Sequence, residues 1–234
     1  FPTSRFEPRR ILGAGALGTR VHCLDREAGM EASVLALRSD TLGRDLEAIF
    51  RDLRAVQQAG HPAVARILDL GCSGDGPQRA YVATEYLDGA EPLGMVIARD
   101  GPMSPEAWFD VAWALGRALQ ALHARGVLHR CLRPSSVLLW RGQVKLIDCA
   151  LDLRRAALHA AASNPEGHLT SLGRSIAELA PYLPRELSGR PKGQSWAGPH
   201  SDIYSFGRLC ALALTGKPEP GAADRLLLPE AWQK

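Results

Sequence analysis

Three short stretches in the second half of the chain carry most of the information about its fold. They read HRCLRPSSVLL at 129–139, VKLIDCA at 144–150 and SDIYSFG at 201–207. The first two contain apolar runs of strand length on either side of a polar turn. The third begins a predicted helix over 201–215, because a serine can cap its N-terminus and Gly216 can end it. The pattern thus predicts a short strand pair close to a long helix.

Strand-like apolar runs dominate the first third of the chain. They lie at 10–12, 20–24, 32–37, 64–70 and 80–84. A segment with helical spacing, 44–58, interrupts them. From Ser104 onward helical patterns prevail, since Ser104 and Pro105 form a strong signal for the start of a helix. The change of pattern near Tyr86 predicts a sheet-rich part before it and a helical part after it.

The composition is that of an ordinary globular protein. Hydrophobic residues make up 46% and charged residues 23%, and the net charge is only +3, which excludes a disordered chain and gives no support for nucleic-acid binding. Five cysteines without a C-x-x-C pair argue against a disulfide or metal framework. No apolar stretch approaches the roughly 20 residues of a membrane span. Only four of the 28 basic residues are lysine, and the first is Lys145.

In order and spacing, the three stretches resemble the bacterial-type serine/threonine protein kinases. The corresponding motifs of that family read H-R-D-L-K-P-x-N, D-F-G and S-D-I-Y-S-x-G. Gly13, Gly15 and Gly18 lie between two predicted strands, which fits the family's glycine-rich turn over phosphates and not the strand-to-helix dinucleotide fingerprint. The resemblance covers almost all of residues 6–219.

The resemblance implies an α+β fold with two lobes and a nucleotide cleft between them. The whole chain, 1–234, is then one kinase-like domain, with a small antiparallel-sheet N-lobe at 1–86 and a helical C-lobe at 87–234. We expect the C-lobe to be truncated after the helix at 201–215, because the family continues with further helices and little of this chain follows.

Three positions of the family's catalytic loop carry other residues. The base that accepts the substrate proton corresponds to Cys131, the magnesium-binding asparagine to Ser136 and the catalytic-loop lysine to Arg133. A positioned base contributes roughly 10²–10⁴-fold to the rate, and a thiol is a poor base for a hydroxyl. A hydroxyl is a weaker metal ligand than an amide carbonyl, and arginine keeps the lysine's charge but not its geometry.

The family's phosphate-anchoring lysine on the third strand is missing as well. Matching its V-A-x-K pattern by residue type places Arg38 at the lysine, which is the alignment we prefer, whereas an ungapped alignment places Leu35 there. The helix glutamate that pairs with this lysine corresponds to Asp52, which makes an Arg38–Asp52 pair one outcome. The threonine that braces the catalytic loop corresponds to Leu179.

Other positions of the family are retained. Asp148 stands at the magnesium-binding acid of D-F-G, and Glu85 and Leu87 at the hinge whose backbone binds adenine. Asp202 stands at the acid that supports the backbone of the catalytic loop. The resemblance makes Asp148 the candidate metal ligand of this chain. The alternative is that Asp148 is an ordinary loop carboxylate.

The roof of the expected adenine pocket differs between two alignments. The ungapped alignment puts Arg20 at the apolar roof position, where an arginine would fill the pocket or bind phosphate. A slip of one residue would put Val21 there and restore an apolar roof. The cleft is therefore expected to be vestigial, and occluded if Arg20 points into it.

Simultaneous change at so many catalytic positions predicts a pseudokinase, a kinase-like domain without phosphoryl transfer that acts as a regulatory or scaffolding module. The alternatives are a weak or unorthodox ATP-dependent serine/threonine kinase and a nucleotide sensor without turnover. The first function requires no cofactor, whereas the others use ATP and magnesium at low affinity. Expected partners are another protein, neighbouring domains of a larger regulatory protein, or a second copy of the chain. We expect no nucleic acid and no membrane as partners, and a cytoplasmic location.

Overall fold

Four segments of the chain, residues 1–73, 79–153, 176–184 and 197–219, are described by the computed structural model of the protein. None of the helices in these segments is long and apolar enough to cross a lipid bilayer. Most of the chain between Asp148 and the predicted helix at 201–215 lies outside the described residues.

A five-stranded antiparallel sheet forms the first part of the molecule. Its strands are β1 Phe6–Ala14, β2 Gly18–Asp25, β3 Met30–Leu37, β4 Ile67–Ser73 and β5 Arg79–Glu85. Their order across the sheet is β1-β2-β3-β5-β4. The sequence predicted every one of these strands, although β4 begins three residues later than its expected start at Val64.

Alternation along β2 and β3 gives the sheet two different faces. Val21 pairs with Val34 across the strands, and both lie with Phe6 in a buried cluster on one face. Arg20 pairs with Leu35 in the neighbouring register position and therefore points to the opposite face. This register decides which side chains enter the space between the sheet and the helical part.

Helix α1, Leu46–Ala59, packs beneath the sheet. Asp45 caps its N-terminus by accepting a backbone N–H at 2.7 Å, and Gly60 ends it in the left-handed conformation at φ 56°. The buried residues of the helix recur every three or four positions and are Ile49, Leu53 and Val56. They join the sheet to the core of the second part.

The second part is mainly helical and carries a small sheet. Its helices are α2 Leu93–Asp100, α3 Pro105–His123 and α4 Pro199–Thr215. Its strands, in spatial order, are β6 Glu91–Pro92, β7 Val137–Trp140 and β8 Gln143–Leu146. Short 3-10 helices lie at Pro134–Ser136 and Ala180–Tyr182. The predicted helix at 201–215 is present, and it begins two residues earlier than expected.

Helices α3 and α4 form the centre of the second part. The largest fully buried side chains on them are Trp108, Leu115, Leu119, Leu122 and Leu209. Each such burial contributes about 1.5–3 kcal/mol. The backbone N–H of Met103 donates to the carbonyl of Ala213 at 2.7 Å and ties the start of α3 to the end of α4. This core fixes the loop that runs from α3 to β7, in which the stretch at 129–139 lies.

Candidate functional site

The space between the sheet and the helical part contains a cavity of about 570 Å³, a size typical of small-molecule pockets. The cavity brings most of the predicted site residues together. Those that line it are Gly13, Gly15, Gly18, Arg20, Glu85, Leu87, Cys131, Arg133 and Asp148. Three other predicted site residues, Arg38, Asp52 and Ser136, lie outside this lining.

A tight turn joins β1 to β2 above the cavity. The backbones of Gly15 and Gly18 exchange hydrogen bonds of 2.9 and 3.2 Å across it. Gly18 has φ 146°, and a Cβ at this position would lie 1.9 Å from the carbonyl oxygen of Ala36. Only glycine fits here, because the turn passes directly against β3.

The tip of this turn is anchored to the chain that follows β3. The hydroxyl of Thr41 donates to the carbonyl of Ala16 at 2.5 Å, and the backbone N–H of Arg38 donates to that of Leu17 at 2.9 Å. Both tip side chains are buried, and Ala16 packs against Ile176 of the helical part. Protein contacts on both sides therefore hold the tip of the turn.

The structure corrects the preferred alignment of β3. Arg38 lies beyond the end of the strand, its side chain is 45% exposed, and its Nε is 3.9 Å from Oδ1 of Asp40. Leu35 instead is buried at the inner end of the cavity, beside Asp148. Placing Arg38 at the family's lysine is therefore wrong. The ungapped alignment, with Leu35 at that position, holds because side chains alternate along the strand.

Asp52, the acid on α1, has a partner other than the expected Arg38. Oδ2 of Asp52 lies 2.6 Å from Nη1 of Arg44, the residue just before the cap of α1, and no Arg38–Asp52 pair forms. The same guanidinium donates to the carbonyl of Ala150 at 2.6 Å and lies 3.4 Å from Asp152. Arg44 therefore ties α1 to the segment that follows Asp148.

Asp148 is held by two arginines. One carboxylate oxygen, Oδ1, pairs with Nη2 of Arg20, and the other, Oδ2, lies 2.9 Å from Nη2 of Arg133. Burial alone would raise the pKa of Asp148, but the two guanidiniums outweigh it and hold the pKa below its usual value. The residue adopts φ 63°, a conformation that is uncommon for non-glycine residues.

The roof of the cavity is Arg20 and not Val21. Arg20 faces the cavity, where its Nη1 also donates to the hydroxyl of Ser33 at 3.3 Å. Val21 lies in the cluster on the other face of the sheet. The slip of one residue that would restore an apolar roof is thereby excluded.

Cys131 is fully enclosed at the position of the family's base. Burial raises the pKa of its thiol to about 12, against the opposing effect of Arg133. Nη1 of Arg133 lies 2.8 Å from the sulfur and 3.1 Å from the Cys131 carbonyl. The sulfur is therefore a protonated thiol at neutral pH, and thiols react as thiolates.

The hydroxyl of Ser136 is committed to the loop itself. It accepts the backbone N–H of Arg133 at 3.0 Å and donates to the carbonyl of the same residue at 2.8 Å. The side chain is buried. Ser136 therefore caps a turn of the loop and presents no hydroxyl to the cavity.

The hinge between the two parts is fixed by side chains. Oε1 of Glu85 accepts the backbone N–H of Arg66 and pairs with Nζ of Lys145, both at 2.9 Å. Leu87 is buried, and its carbonyl accepts the N–H of Ala90 at 3.1 Å. Glu85 and Leu87 thus both line the cavity, and their role as an adenine-binding hinge stays a prediction.

Asp202 supports the catalytic loop from below. Its two oxygens accept the backbone N–H groups of His129 at 2.8 Å and Arg130 at 2.9 Å, and its Oδ2 lies 2.8 Å from Nε2 of His123. Burial would raise the pKa of Asp202, but these hydrogen bonds more than compensate and lower it. The expected position of Asp202 is confirmed.

Sequence reasoning missed several partners of the site residues. Arg44, Lys145 as a partner of the hinge, and Glu178, whose Oε2 lies 3.9 Å from Nε of Arg133, were not singled out. No motif signals them, because each lies far from its partner in the chain or at an irregular spacing. Leu179, at the position of the bracing threonine, is buried and lines the cavity.

The model of the protein kinase domain family matches residues 6–225. The chain belongs to this family. The curated relatives include serine/threonine-protein kinase PknA of Mycobacterium tuberculosis, which is 32% identical over 232 residues covering 96% of this chain and 50% of PknA. They also include the probable serine/threonine-protein kinase SCO3848 of Streptomyces coelicolor, 30% identical over 92% of this chain and 30% of that protein. The chain spans about half, or less, of the length of these relatives.

A solved structure with the same fold is the kinase domain of M. tuberculosis PknI. The two align with a TM-score of 0.67 and 20% identity, over 93% of this chain and 75% of that structure. The predicted kinase fold, with an antiparallel-sheet N-lobe and a helical C-lobe, is confirmed. The division of the lobes at residue 86 stays a prediction, and residues 220–234, on which the expected truncation bears, lie outside the described residues.

The kinase family implies a magnesium ion, and the residues present do not fit one. Both oxygens of Asp148 are engaged by arginines, and the hydroxyl of Ser136 is committed to its own loop. The described segments hold no group of three histidine, cysteine, aspartate or glutamate side chains that could bind a metal ion. Magnesium is usually held by one or two carboxylates together with phosphates and waters. Because both oxygens of Asp148 are already paired with arginines, Asp148 is not an available metal ligand here.

Proposed function

We propose that this kinase domain is a pseudokinase, which binds other molecules and does not transfer phosphate. It acts as a regulatory or scaffolding module, through contacts with another protein, with neighbouring domains or with a second copy of itself. A cytoplasmic location is part of this proposal, and the five free cysteines support it because thiols are kept reduced there.

The observation that carries this proposal is the state of Cys131. In the family this position holds the base that accepts the proton of the substrate hydroxyl. Here it holds a buried thiol with a pKa of about 12, in contact with a guanidinium. Such a group is already protonated at neutral pH and has no capacity to accept a further proton.

Two further features support the proposal independently. Leu35 stands at the position of the phosphate-anchoring lysine and buries an apolar side chain where the family presents a cation. Both carboxylate oxygens of Asp148 are paired with arginines, one with Arg20 and the other with Arg133. In the described segments, the positions of the base and of the anchoring cation thus carry other residues, and the metal-binding acid is paired with arginines.

The direct test is a phosphotransfer assay with labelled ATP and magnesium, on the protein itself and on a generic serine/threonine substrate. We expect no incorporated label. The matched variants are Asp148→Asn, in the cleft, and Asp40→Asn, at an exposed site. Label that is incorporated by the natural chain and by Asp40→Asn, but not by Asp148→Asn, would identify an unorthodox kinase and overturn the proposal.

A gain-of-function experiment sharpens the same test. We expect Cys131→Asp alone to stay inactive, because Leu35 and the arginines on Asp148 are unchanged. A positioned base contributes roughly 10²–10⁴-fold to rate, so Cys131→Asp would raise turnover by that factor if the base were the only missing group. Such an increase would contradict the proposed loss at several positions.

A second candidate, a nucleotide sensor without turnover, is favoured by one observation. The cavity of about 570 Å³ between the lobes is still lined by the hinge and the glycine-rich turn. A ligand that binds only the folded state raises its stability. A rise in melting temperature with nucleotide, in the absence of product, would select this function.

A further inference from the structure

The inner end of the cleft contains a guanidinium where a kinase would hold a metal ion. Arg20 reaches down from β2 and pairs with Oδ1 of Asp148, while Arg133 pairs with Oδ2 from the catalytic loop. A divalent cation would have to displace at least one of these arginines from a carboxylate that is only 5% exposed. We propose that Arg20 takes the place of the metal ion, so that this cleft binds a nucleoside phosphate without a divalent cation.

The donors of Arg20 are suited to this role. A guanidinium carries five N–H donors, and within the described segments Arg20 directs one to Asp148 and one to Ser33. The side chain is 20% exposed and lines the cavity. Its remaining donors can therefore meet the oxygens of a phosphate, a group that guanidinium binds in a bidentate manner.

The surrounding charges agree with an anionic ligand that comes without its metal. Arg133 lines the same cavity, so two guanidiniums face it from opposite lobes. The acids beside them are already engaged, Asp148 by both arginines and Glu178 by Arg133 at 3.9 Å. A phosphate without a metal ion can pair with both guanidiniums. A phosphate that is already neutralised by magnesium gains less from this pairing, and its magnesium ion finds no free ligands among the described residues that line the cavity.

The rest of the cleft supplies the site for the nucleoside. Glu85 and Leu87 keep the hinge at the back of the cavity, and Leu138 and Ile147 give it an apolar floor. Ligand pockets of this kind are mostly apolar with a few converging polar groups. This inference rests on the proposed function, since phosphoryl transfer in this family requires the metal.

The test measures the affinity of ADP for the full chain by calorimetry, once in EDTA and once in excess magnesium, with adenosine as a second probe. We expect ADP to bind in EDTA at least as tightly as in magnesium, and more tightly than adenosine. Binding of ADP that needs magnesium, or no binding of ADP in EDTA, overturns the proposal. Equal affinity for ADP and adenosine also overturns it, because the phosphates would then miss the arginines.

Variants assign the effect to Arg20. Arg20→Val should weaken ADP binding in EDTA about tenfold or more, as expected for the loss of one charge-assisted hydrogen bond. The affinity of Arg20→Lys for ADP should lie between those of the natural chain and Arg20→Val, because lysine keeps the positive charge without the planar guanidinium. The matched control is Arg38→Val, which removes an arginine outside the cavity and should leave the affinity unchanged. Unchanged affinity in a folded Arg20→Val or Arg20→Lys protein overturns the proposal.

The result is separable from the proposed function. Binding of ADP that depends on magnesium, with no phosphotransfer, overturns the metal-free site and leaves the pseudokinase proposal standing. Phosphotransfer by the natural chain overturns the pseudokinase proposal itself.

Discussion

Two buried aspartates beneath the cleft, Asp148 and Asp202, have the same charge and a lowered pKa but different partners. Asp202 is held by the backbone N–H groups of His129 and Arg130 and by the ring of His123. Asp148 is held by the side chains of two arginines. One carboxylate therefore supports the main chain, and the other is neutralised by side chains.

The difference separates the fold of the domain from its chemistry. Backbone donors are present whatever the sequence, so a carboxylate that binds them is needed for as long as the loop keeps its shape. Arginine partners depend on single side chains, so they can appear or disappear by one substitution. The support at Asp202 keeps the arrangement of a kinase, whereas the environment of Asp148 has been rebuilt.

The largest expected effect is at the backbone support. Asp202→Asn leaves buried N–H groups of the catalytic loop with a poorer acceptor and should lower the free energy of unfolding by about 2–3 kcal/mol. Urea denaturation measures this loss. Asp40→Asn, at an exposed acid, is the matched control and should change little. A loss as small as that of the control would show that the loop holds its shape without Asp202.

The next effect concerns the rebuilt acid. A double-mutant cycle with Arg20→Val and Asp148→Asn should give a coupling free energy of about 1–2 kcal/mol, because the two groups are in contact and mostly buried. The same cycle on the exposed Arg38–Asp40 pair, 3.9 Å apart, should give less than about 0.5 kcal/mol. Equal coupling in the two cycles would refute the ion pair as a structural element of the cleft.

A smaller effect is expected at Ser136. Ser136→Ala removes two hydrogen bonds to Arg133 at the turn of the catalytic loop and should cost about 1 kcal/mol of stability. The variant should leave the magnesium dependence of ADP binding unaltered, since the hydroxyl does not face the cavity. A change in the magnesium dependence of ADP binding, with an unaltered free energy of unfolding, would instead assign Ser136 to the nucleotide site.

The smallest expected effect on stability at neutral pH comes from His129, which is close to Asp148 and Asp202. Burial lowers the pKa of this histidine, with Arg133 acting in the same direction and Asp202 and Asp148 opposing it. The unfolded chain then binds a proton below about pH 6.5 that the folded chain resists. Stability should therefore be lost as the pH falls below 6.5, and unfolding curves from pH 7.5 to 5.5 measure this slope.

His129→Gln should flatten that slope, because it removes a group whose pKa is lower in the folded chain than in the unfolded chain. His200→Gln, at an exposed histidine, serves as the control. If both variants keep the slope of the natural chain, another group causes it.

The fold was largely predictable from local patterns. Apolar runs bounded by turns gave the strands of the sheet, and the spacing of the three motifs gave the kinase architecture. The positions of Cys131, Ser136, Asp148 and Asp202 followed with them, because these residues lie in motifs of fixed length. What each side chain contacts was a different question.

The preferred alignment of β3 failed because it assumed a change in the length of the preceding turn, whereas the ungapped alignment holds. Residue type favoured Arg38, and only the pairing of Arg20 with Leu35 across β2 and β3 shows which positions face the cleft. The link from Arg44 to Asp52 was equally hidden, because it joins the chain before a helix to the second turn of that helix. Long-range partners of this kind have no signature in a single sequence.

Gly18 shows that packing within the sheet can by itself require a glycine that belongs to a functional motif. The space that a Cβ would need is filled by the carbonyl of Ala36, so purifying selection on the sheet alone would preserve this glycine. Gly18 alone is therefore no evidence that this chain uses ATP. Under the proposed function, a genome survey that infers ATP turnover from the glycine pattern would misassign this chain, whereas a survey that reads Arg20, Leu35 and Cys131 would not.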